Sequence, residues 1–209
     1  MYPLPYFKEQ DKETVLRFIH EHPFAFLTGC DEHNQPVATQ VPVFIDERED
    51  KLFLSGHMMK QTDHHRAFLH NNNVLTLFTG AHTYISASWY ENRQIASTWN
   101  YMSVHAKGTL QFLDETALLQ VLKRTTAHFE NNPASGANFE DLPKEYIDKM
   151  AKAIVAFEIE VQSLENVFKL SQNRDKKSFE NIIEKLNTGN EDQKTIAQEM
   201  AKRKDQLFE

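Results

Sequence analysis

The sequence lacks the features that mark secreted and membrane proteins. Cys30 is the single cysteine among 209 residues, so no intrachain disulfide can form, which fits a reducing compartment. No apolar run approaches the roughly 18 residues that span a bilayer. The first ten residues, MYPLPYFKEQ, have two prolines and a charge pair where a signal peptide has an apolar core. These absences predict a cytoplasmic protein without a membrane segment.

Motifs for several common chemistries are missing as well. The chain contains no HExxH, GxSxG, GxGxxG or GxxxxGK(S/T) pattern, so zinc proteases, serine hydrolases, dinucleotide-binding folds and P-loops are unsupported. Four of the ten histidines lie close together in the sequence, but none is combined with cysteine at zinc spacing: His57, His64, His65 and His70. We predict no metal site and assign no catalytic residue.

The charge of the chain limits its role on nucleic acids. Asp and Glu number 30 against 23 Lys and Arg, a net charge of −7, and duplex DNA repels an acidic surface. Only a local basic patch could reverse this, and the candidates are Arg174, Lys176, Lys177, Lys202, Arg203 and Lys204. Direct DNA binding and action through a partner regulator both stay open.

Most of the first 164 residues alternate apolar and polar side chains, as β-strands do. Six or seven strands are predicted, and the clearest are residues 24–30, 36–46, 51–56, 73–80, 101–112 and 153–164. Polar turns between them favour antiparallel hairpins. The pattern predicts an α+β chain built on a small antiparallel β-barrel with inserted helices.

Some positions give finer expectations. Pro42 cannot donate a hydrogen bond to a neighbouring strand, so it predicts a sheet edge or a bulge. Residues 73–80 are apolar on both faces and predict a central buried strand. Helices are predicted at 14–22, after Thr62 and Asp63 and after Asp114, with a C-terminal pair beyond residue 174.

The C-terminal pair superficially has the shape of a helix-turn-helix motif. Its second helix begins with Glu191 and Asp192, where a recognition helix would meet phosphates. A helical hairpin packed on the protein is therefore the favoured interpretation.

Two segments carry the strongest functional signal. In TWNYMSVHAKG, residues 98–108, Trp99 and Tyr101 point the same way, and a row of polar side chains follows on that face. In FKLSQNR, residues 168–174, several donors and two cations follow a strand directly. The first could line a pocket for a planar aromatic ligand and the second could bind an anion or a polar ring edge. A solvated strand and a polar loop are the alternatives.

The segments GHMMKQT, TYISASWY, STWNYMSVHAKG, AFEI and FKLSQNR occur in the order and spacing of a known family. The chain resembles the PaiB-type family, the FMN-binding negative transcriptional regulators, from its first residues to about Arg174. The resemblance implies an FMN-binding split barrel over residues 1–174 and a helical extension over 175–209. It also implies a homodimer with FMN in clefts at the interface.

Carried over by motif, the resemblance implies ten FMN-binding residues: Thr39, Gly56, His57, Trp99, Asn100, Tyr101, Lys169, Ser171, Gln172 and Asn173. Ala38 and Pro42 belong to the same matching strand as Thr39. The chain departs from the family pattern at Thr62 and Asp63, where Asn-Pro is usual, and an aspartate is unfavourable near a phosphate. It also departs at Ala87 and Ser97, where proline is usual.

The resemblance implies a negative regulator of gene expression that binds FMN. A flavin-dependent oxidoreductase of the pyridoxamine-phosphate-oxidase type is the main alternative, and a haem-handling or small-molecule module is a third. No residue in the sequence stands out as a proton donor to a substrate, which favours the regulator.

Overall fold

The computed structural model describes residues 1, 4–132, 134 and 136–208. Six strands and six α-helices follow one another along these residues. The strands are β1 (Phe24–Cys30), β2 (Pro36–Arg48), β3 (Lys51–Met59), β4 (Asn73–Ile85), β5 (Thr98–Phe112) and β6 (Ile154–Lys169). The helices are α1 (Lys12–Glu21), α2 (Asp63–His70), α3 (Glu115–Glu130), α4 (Lys144–Ala153), α5 (Lys176–Asn187) and α6 (Glu191–Phe208).

The strands form a closed barrel in the order β1-β2-β3-β6-β5-β4. The pairings of β1 with β2 and β4, of β2 with β3 and of β3 with β6 are all antiparallel. The predicted α+β class with an antiparallel barrel is therefore confirmed. No helix among the described residues is long and apolar enough to cross a membrane.

The chain divides into two compact units, and β4, β5 and β6 each contribute residues to both. The first unit, called the site unit below, contains residues 1–18, 79–104 and 165–209. The second, called the hairpin unit, contains residues 19–78 and 105–164. The boundary predicted between residues 174 and 175 stays a prediction.

The hairpin unit has its core on the inward face of β1, β3 and β6. Its largest fully buried side chains are Ile19, Leu27, Leu54, Phe68, Phe78, Leu110, Phe157 and Ile159. Gly108 on β5 allows a close approach to β6, because a Cβ there would lie 2.3 Å from the carbonyl oxygen of Glu160. Asp114 caps α3, as predicted, by accepting a hydrogen bond from the backbone N–H of Ala117 at 2.8 Å.

The site unit has its core around the C-terminal helical pair. Five large apolar side chains of α5 and α6 are wholly buried: Phe179, Ile182, Leu186, Ile196 and Met200. The hydroxyl of Ser178 accepts a hydrogen bond from the backbone N–H of Glu91, and Asn181 donates to the carbonyl of Trp89. The pair is thus a packed hairpin within this unit, in agreement with the favoured interpretation of the sequence.

Pro42 stands opposite Phe24 at the end of the β1 pairing, and the β3 pairing begins at the next residue, Val43. The prediction of an edge or a bulge at Pro42 stays a prediction. Two other expectations need correction. Residues 73–80 are not buried on both faces, since only alternate residues of β4 such as Val74 and Phe78 are buried. Helix α4 has no counterpart in the prediction, because most of its apolar side chains, including Tyr146 and Met150, are exposed.

Candidate functional site

Asn100 joins the start of β5 to the turn that follows β6. Its side chain is fully buried, and its Oδ1 accepts a hydrogen bond from the Ser171 hydroxyl at 3.1 Å. Its Nδ2 donates to the sulfur of Met200 on α6 at 3.5 Å. Both ends of the amide are therefore occupied, so Asn100 holds Ser171 in position and has no free polar atom facing solvent.

Lys169 forms a second link between the same two segments. Its ammonium group donates a hydrogen bond to the hydroxyl of Thr98 and lies 5.8 Å from the centre of the Phe7 ring. Burial, together with the positive charge of Arg174, lowers the pKa of Lys169 from its usual range. A cation that is partly removed from water interacts more strongly with an anion than an exposed one does.

The turn after β6 is held by its own hydrogen bonds. Ser171 has a left-handed backbone with φ of +64°, and its carbonyl accepts from the N–H of Arg174 at 3.0 Å. The Gln172 side chain donates to the carbonyl of Phe168 and accepts from the N–H of Leu170 at 2.7 Å. Gln172 therefore shapes the turn, whereas Asn173 is exposed at its tip.

Trp99 and Tyr101 face a shallow pocket of about 390 Å³ on the same unit. Its lining residues are Thr79, Gly80, His82, Trp99, Tyr101, Met102 and Ser103. The indole of Trp99 is 52% exposed, and the rings of His82 and Tyr84 lie 5.9 and 6.1 Å from it. An open aromatic wall of this kind can stack a planar ring.

The other three predicted residues belong to the hairpin unit. Gly56 stands where β3 passes between β2 and β6, and a Cβ there would lie 2.8 Å from the carbonyl oxygen of Pro42. His57 follows it, with a buried Nδ1 that has no hydrogen-bond partner among the described residues, and burial lowers its pKa. Thr39 is half-buried on β2 opposite Leu27.

The departures at Thr62 and Asp63 have a structural role. The Thr62 side chain caps α2 by accepting from the N–H of His65, as predicted. The Asp63 carboxylate accepts from the N–H of His64 and lies 3.0 Å from its Nδ1. These hydrogen bonds lower the pKa of Asp63, so its negative charge is retained.

The chain belongs to the family described as "Putative FMN-binding domain", whose pattern matches residues 1–163. It is 32% identical over 201 residues to the "Protease synthase and sporulation protein PAI 2" of Bacillus subtilis, covering 96% of both chains. The predicted family membership is confirmed, and FMN is the cofactor that it assigns.

Solved structures show the same fold at low identity. The FAD and heme binding protein from Mycobacterium smegmatis superposes with a TM-score of 0.58 at 15% identity, covering 78% of this chain and 73% of that one. The flavocytochrome Anf3 from Azotobacter vinelandii gives 0.56 at 16% identity, with 80% and 72% covered. At such identities the likeness concerns the fold alone.

The residues of the site unit fit the chemistry of FMN. The flavin ring requires a planar apolar contact, which the exposed face of Trp99 offers. The phosphate requires cations, and Lys169 lies near Arg174, whose buried Nε has no hydrogen-bond partner among the described residues. Within the described part of the chain, no group of three His, Cys, Asp or Glu side chains is arranged to hold a metal ion.

Beside the ten predicted residues, the arrangement includes Thr98, Arg174 and Met200. Thr98 and Arg174 stand in the two quoted segments, and Arg174 is one of the two cations of the predicted anion-binding segment. Met200 lies on α6 and accepts a hydrogen bond from Asn100. A hydroxyl next to an assigned tryptophan and an arginine ending a polar turn were visible signals, whereas the contact with Met200 had none.

Proposed function

We propose that the chain binds FMN with the residues that meet at the start of β5 and the end of β6, and that it is a negative regulator of gene expression. One observation carries the binding proposal: two segments about 70 positions apart are joined by the Asn100–Ser171 and Thr98–Lys169 hydrogen bonds. Trp99, Tyr101 and Lys169 would contact the cofactor. Asn100, Ser171 and Gln172 would hold the others in place.

The remaining predicted residues belong to the proposal through the family resemblance. Thr39, Gly56 and His57 match its motifs, and Asn173 adds an exposed amide at the tip of the turn. The unpaired Nδ1 of His57 supports a ligand contact, because a buried polar atom without a partner is costly.

The regulator proposal is supported by the family resemblance and by the relative from Bacillus subtilis, whose name refers to protease synthesis and sporulation. Direct DNA reading is the less favoured route. Arg203, one of the predicted basic candidates, pairs with Glu9 and Glu199, and Lys204 pairs with Glu180. These charges are compensated within the protein, so we propose that regulation acts through a partner or through the flavin.

We further propose a homodimer. The outward face of β1 presents Phe24 and Phe26, which are 61% and 42% exposed, and Leu77 of β4 stands opposite Phe26. A cluster of exposed aromatic side chains on a sheet is typical of an interface.

The binding proposal is tested by titrating the purified protein with FMN. Lys169→Ala and Trp99→Ala are each expected to weaken FMN binding about tenfold or more, because they remove a charge-assisted contact and a stacking surface. Flavin fluorescence gives the affinity and circular dichroism confirms the fold.

Lys107→Ala is the control for this titration, since Lys107 is an exposed lysine of β5 in the other unit. Unchanged FMN affinity in both site variants would disprove the assignment of these residues. Absence of flavin binding by the parent would disprove the binding proposal itself.

The regulatory route is tested by mobility shift on duplex DNA at two salt concentrations. The parent is expected to bind non-specifically and weakly, with a dissociation constant of about 10⁻⁴–10⁻⁶ M that weakens as salt rises. The triple variant Lys202→Glu, Arg203→Glu, Lys204→Glu is expected to weaken this binding further, because it replaces three positive charges with negative ones that duplex DNA repels. Tight binding that the triple variant abolishes would show that α6 reads DNA directly.

A further inference from the structure

Helix α6 is linked through Met200 to the turn that follows β6. The Met200 sulfur accepts a hydrogen bond from the Asn100 side chain at 3.5 Å, and the same side chain accepts from the Ser171 hydroxyl at 3.1 Å. All three residues are buried, so water cannot readily replace a lost partner. The position of Ser171 therefore depends on α6 through the bridging amide of Asn100.

Arg203, one turn further along α6, contacts the start of the same segment. Its guanidinium carbon lies 5.5 Å from the centre of the Phe168 ring, within the range of a cation–π contact, and Phe168 directly precedes Lys169. The Arg203 side chain is 14% exposed and is held by the carboxylate of Glu199 at 2.7 Å. Residues three positions apart lie on the same side of a helix, so one side of α6 supports both ends of residues 168–171.

Arg203 also holds the N-terminal segment that lies beside Lys169. Its Nη2 donates a hydrogen bond to the carboxylate of Glu9 at 2.8 Å, and the backbone of Glu9 exchanges two hydrogen bonds with the side chain of Asn166 on β6. Two positions before Glu9, the Phe7 ring has its centre 5.8 Å from the Lys169 nitrogen. Helix α6 therefore holds both the strand end that carries Lys169 and the segment that brings a ring next to it.

We propose that α6 is a positioning element of the flavin site, with Met200 and Arg203 as its positioning residues, so that FMN binding and the packing of α6 stabilise each other. Groups that are held in place before binding do not have to be ordered by the ligand, which raises affinity. Such a coupling is reciprocal by thermodynamic necessity. The matched family pattern ends at residue 163 and does not include α6. The identity of the ligand rests on the proposed function.

The test combines FMN titration with hydrogen exchange on the full-length protein. In Met200→Ala we expect FMN affinity to fall about fivefold or more, because the Asn100 amide loses its acceptor and α6 loses a packed side chain. Arg203→Gln is expected to lower the affinity in the same direction, because it releases Glu9 and the Phe168 ring.

Leu110→Ala is the matched control for stability. Leu110 is buried on β5 in the hairpin unit, which contains neither α6 nor residues 168–171. The change removes a core side chain of similar size and is expected to leave FMN affinity unchanged. A loss of affinity in Leu110→Ala as large as that in Met200→Ala would show a general effect of destabilisation and would overturn the inference.

Hydrogen exchange tests the positioning role without the flavin. Met200→Ala is expected to speed exchange of the backbone amides of residues 168–174, whereas Leu110→Ala is not. In the parent, FMN is expected to slow exchange in α6 more than in α3, as reciprocity requires.

The two measurements separate the inference from the proposed function. If the parent binds no FMN, the proposed function fails, while parental exchange at residues 168–174 in Met200→Ala overturns this inference and faster exchange supports it. If FMN binds, parental affinity in both Met200→Ala and Arg203→Gln overturns the inference, whatever the exchange rates. If Met200→Ala does not fold, Arg203→Gln decides by the same two measurements, because its side chain lies at the margin of the core.

Discussion

Asn100→Ala is expected to lower the free energy of unfolding by about 2–3 kcal/mol and to weaken FMN binding at least tenfold. The change leaves the buried Ser171 hydroxyl without its acceptor, which costs about 1–3 kcal/mol. It also leaves a small cavity beside Met200. FMN binding falls because Ser171 and the turn that carries Lys169 lose their fixed position. Urea denaturation and FMN titration measure the two effects separately.

Asn72→Ala is the matched control, because Asn72 is exposed and its side chain makes no hydrogen bond to another described residue. Asn100→Asp keeps the acceptor for Ser171 but removes the donor to Met200 and buries a charge, so it is expected to be at least as destabilising. Parental stability in Asn100→Ala would show that the buried amide is not the link between β5, the turn and α6.

Phe26→Asp is expected to convert the proposed homodimer into a monomer. The parent should have about twice the chain mass of 24.4 kDa in light scattering, and the variant should have the chain mass itself. An unpaired carboxylate buried at an interface costs several kcal/mol, enough to shift the equilibrium at least a hundredfold. The side chain is 42% exposed in the single chain, so the fold should survive.

Phe129→Asp makes the same chemical change on α3, where the phenylalanine is 54% exposed. It is expected to leave the mass unchanged. A parent that is monomeric at micromolar concentration would contradict the dimer proposal. A dimeric Phe26→Asp variant would place the interface elsewhere on the surface.

The barrel could be predicted well from the sequence because strands have a short, regular period. On β5 the alternation predicts one face made of Met102, Val104, Ala106, Gly108, Leu110 and Phe112, and all of these except the half-buried Phe112 are buried. The pattern depends only on neighbours two positions away, so no tertiary information is needed. Helix α4 escaped prediction for the opposite reason, since its exposed apolar residues do not form the expected buried stripe.

The contacts of the site could be predicted less well than its members. The Trp99 and Lys169 segments were found through their motifs, but their mutual hydrogen bonds join residues about 70 positions apart. Local patterns do not specify which residue of a helix meets a strand, and so Met200 could not be connected with Asn100. The sequence also suggested a contact role for Asn100, whereas its complete burial favours a supporting one.

The ion pair between Glu9 and Arg203 has a consequence for circular permutation of the chain. These residues are 194 positions apart, yet their side chains lie 2.8 Å from one another, and Asn166 also binds the backbone of Glu9. The segments around Glu9 and Arg203 therefore meet, so that a linker could join the chain at these two segments. New termini could be opened at the exposed Glu49–Asp50 turn, where both residues already have a left-handed backbone. The resulting circular permutant would keep every strand intact. Its Trp99 and Lys169 segments would be synthesised before the β1–β2 hairpin, whereas in the present chain they are synthesised after it.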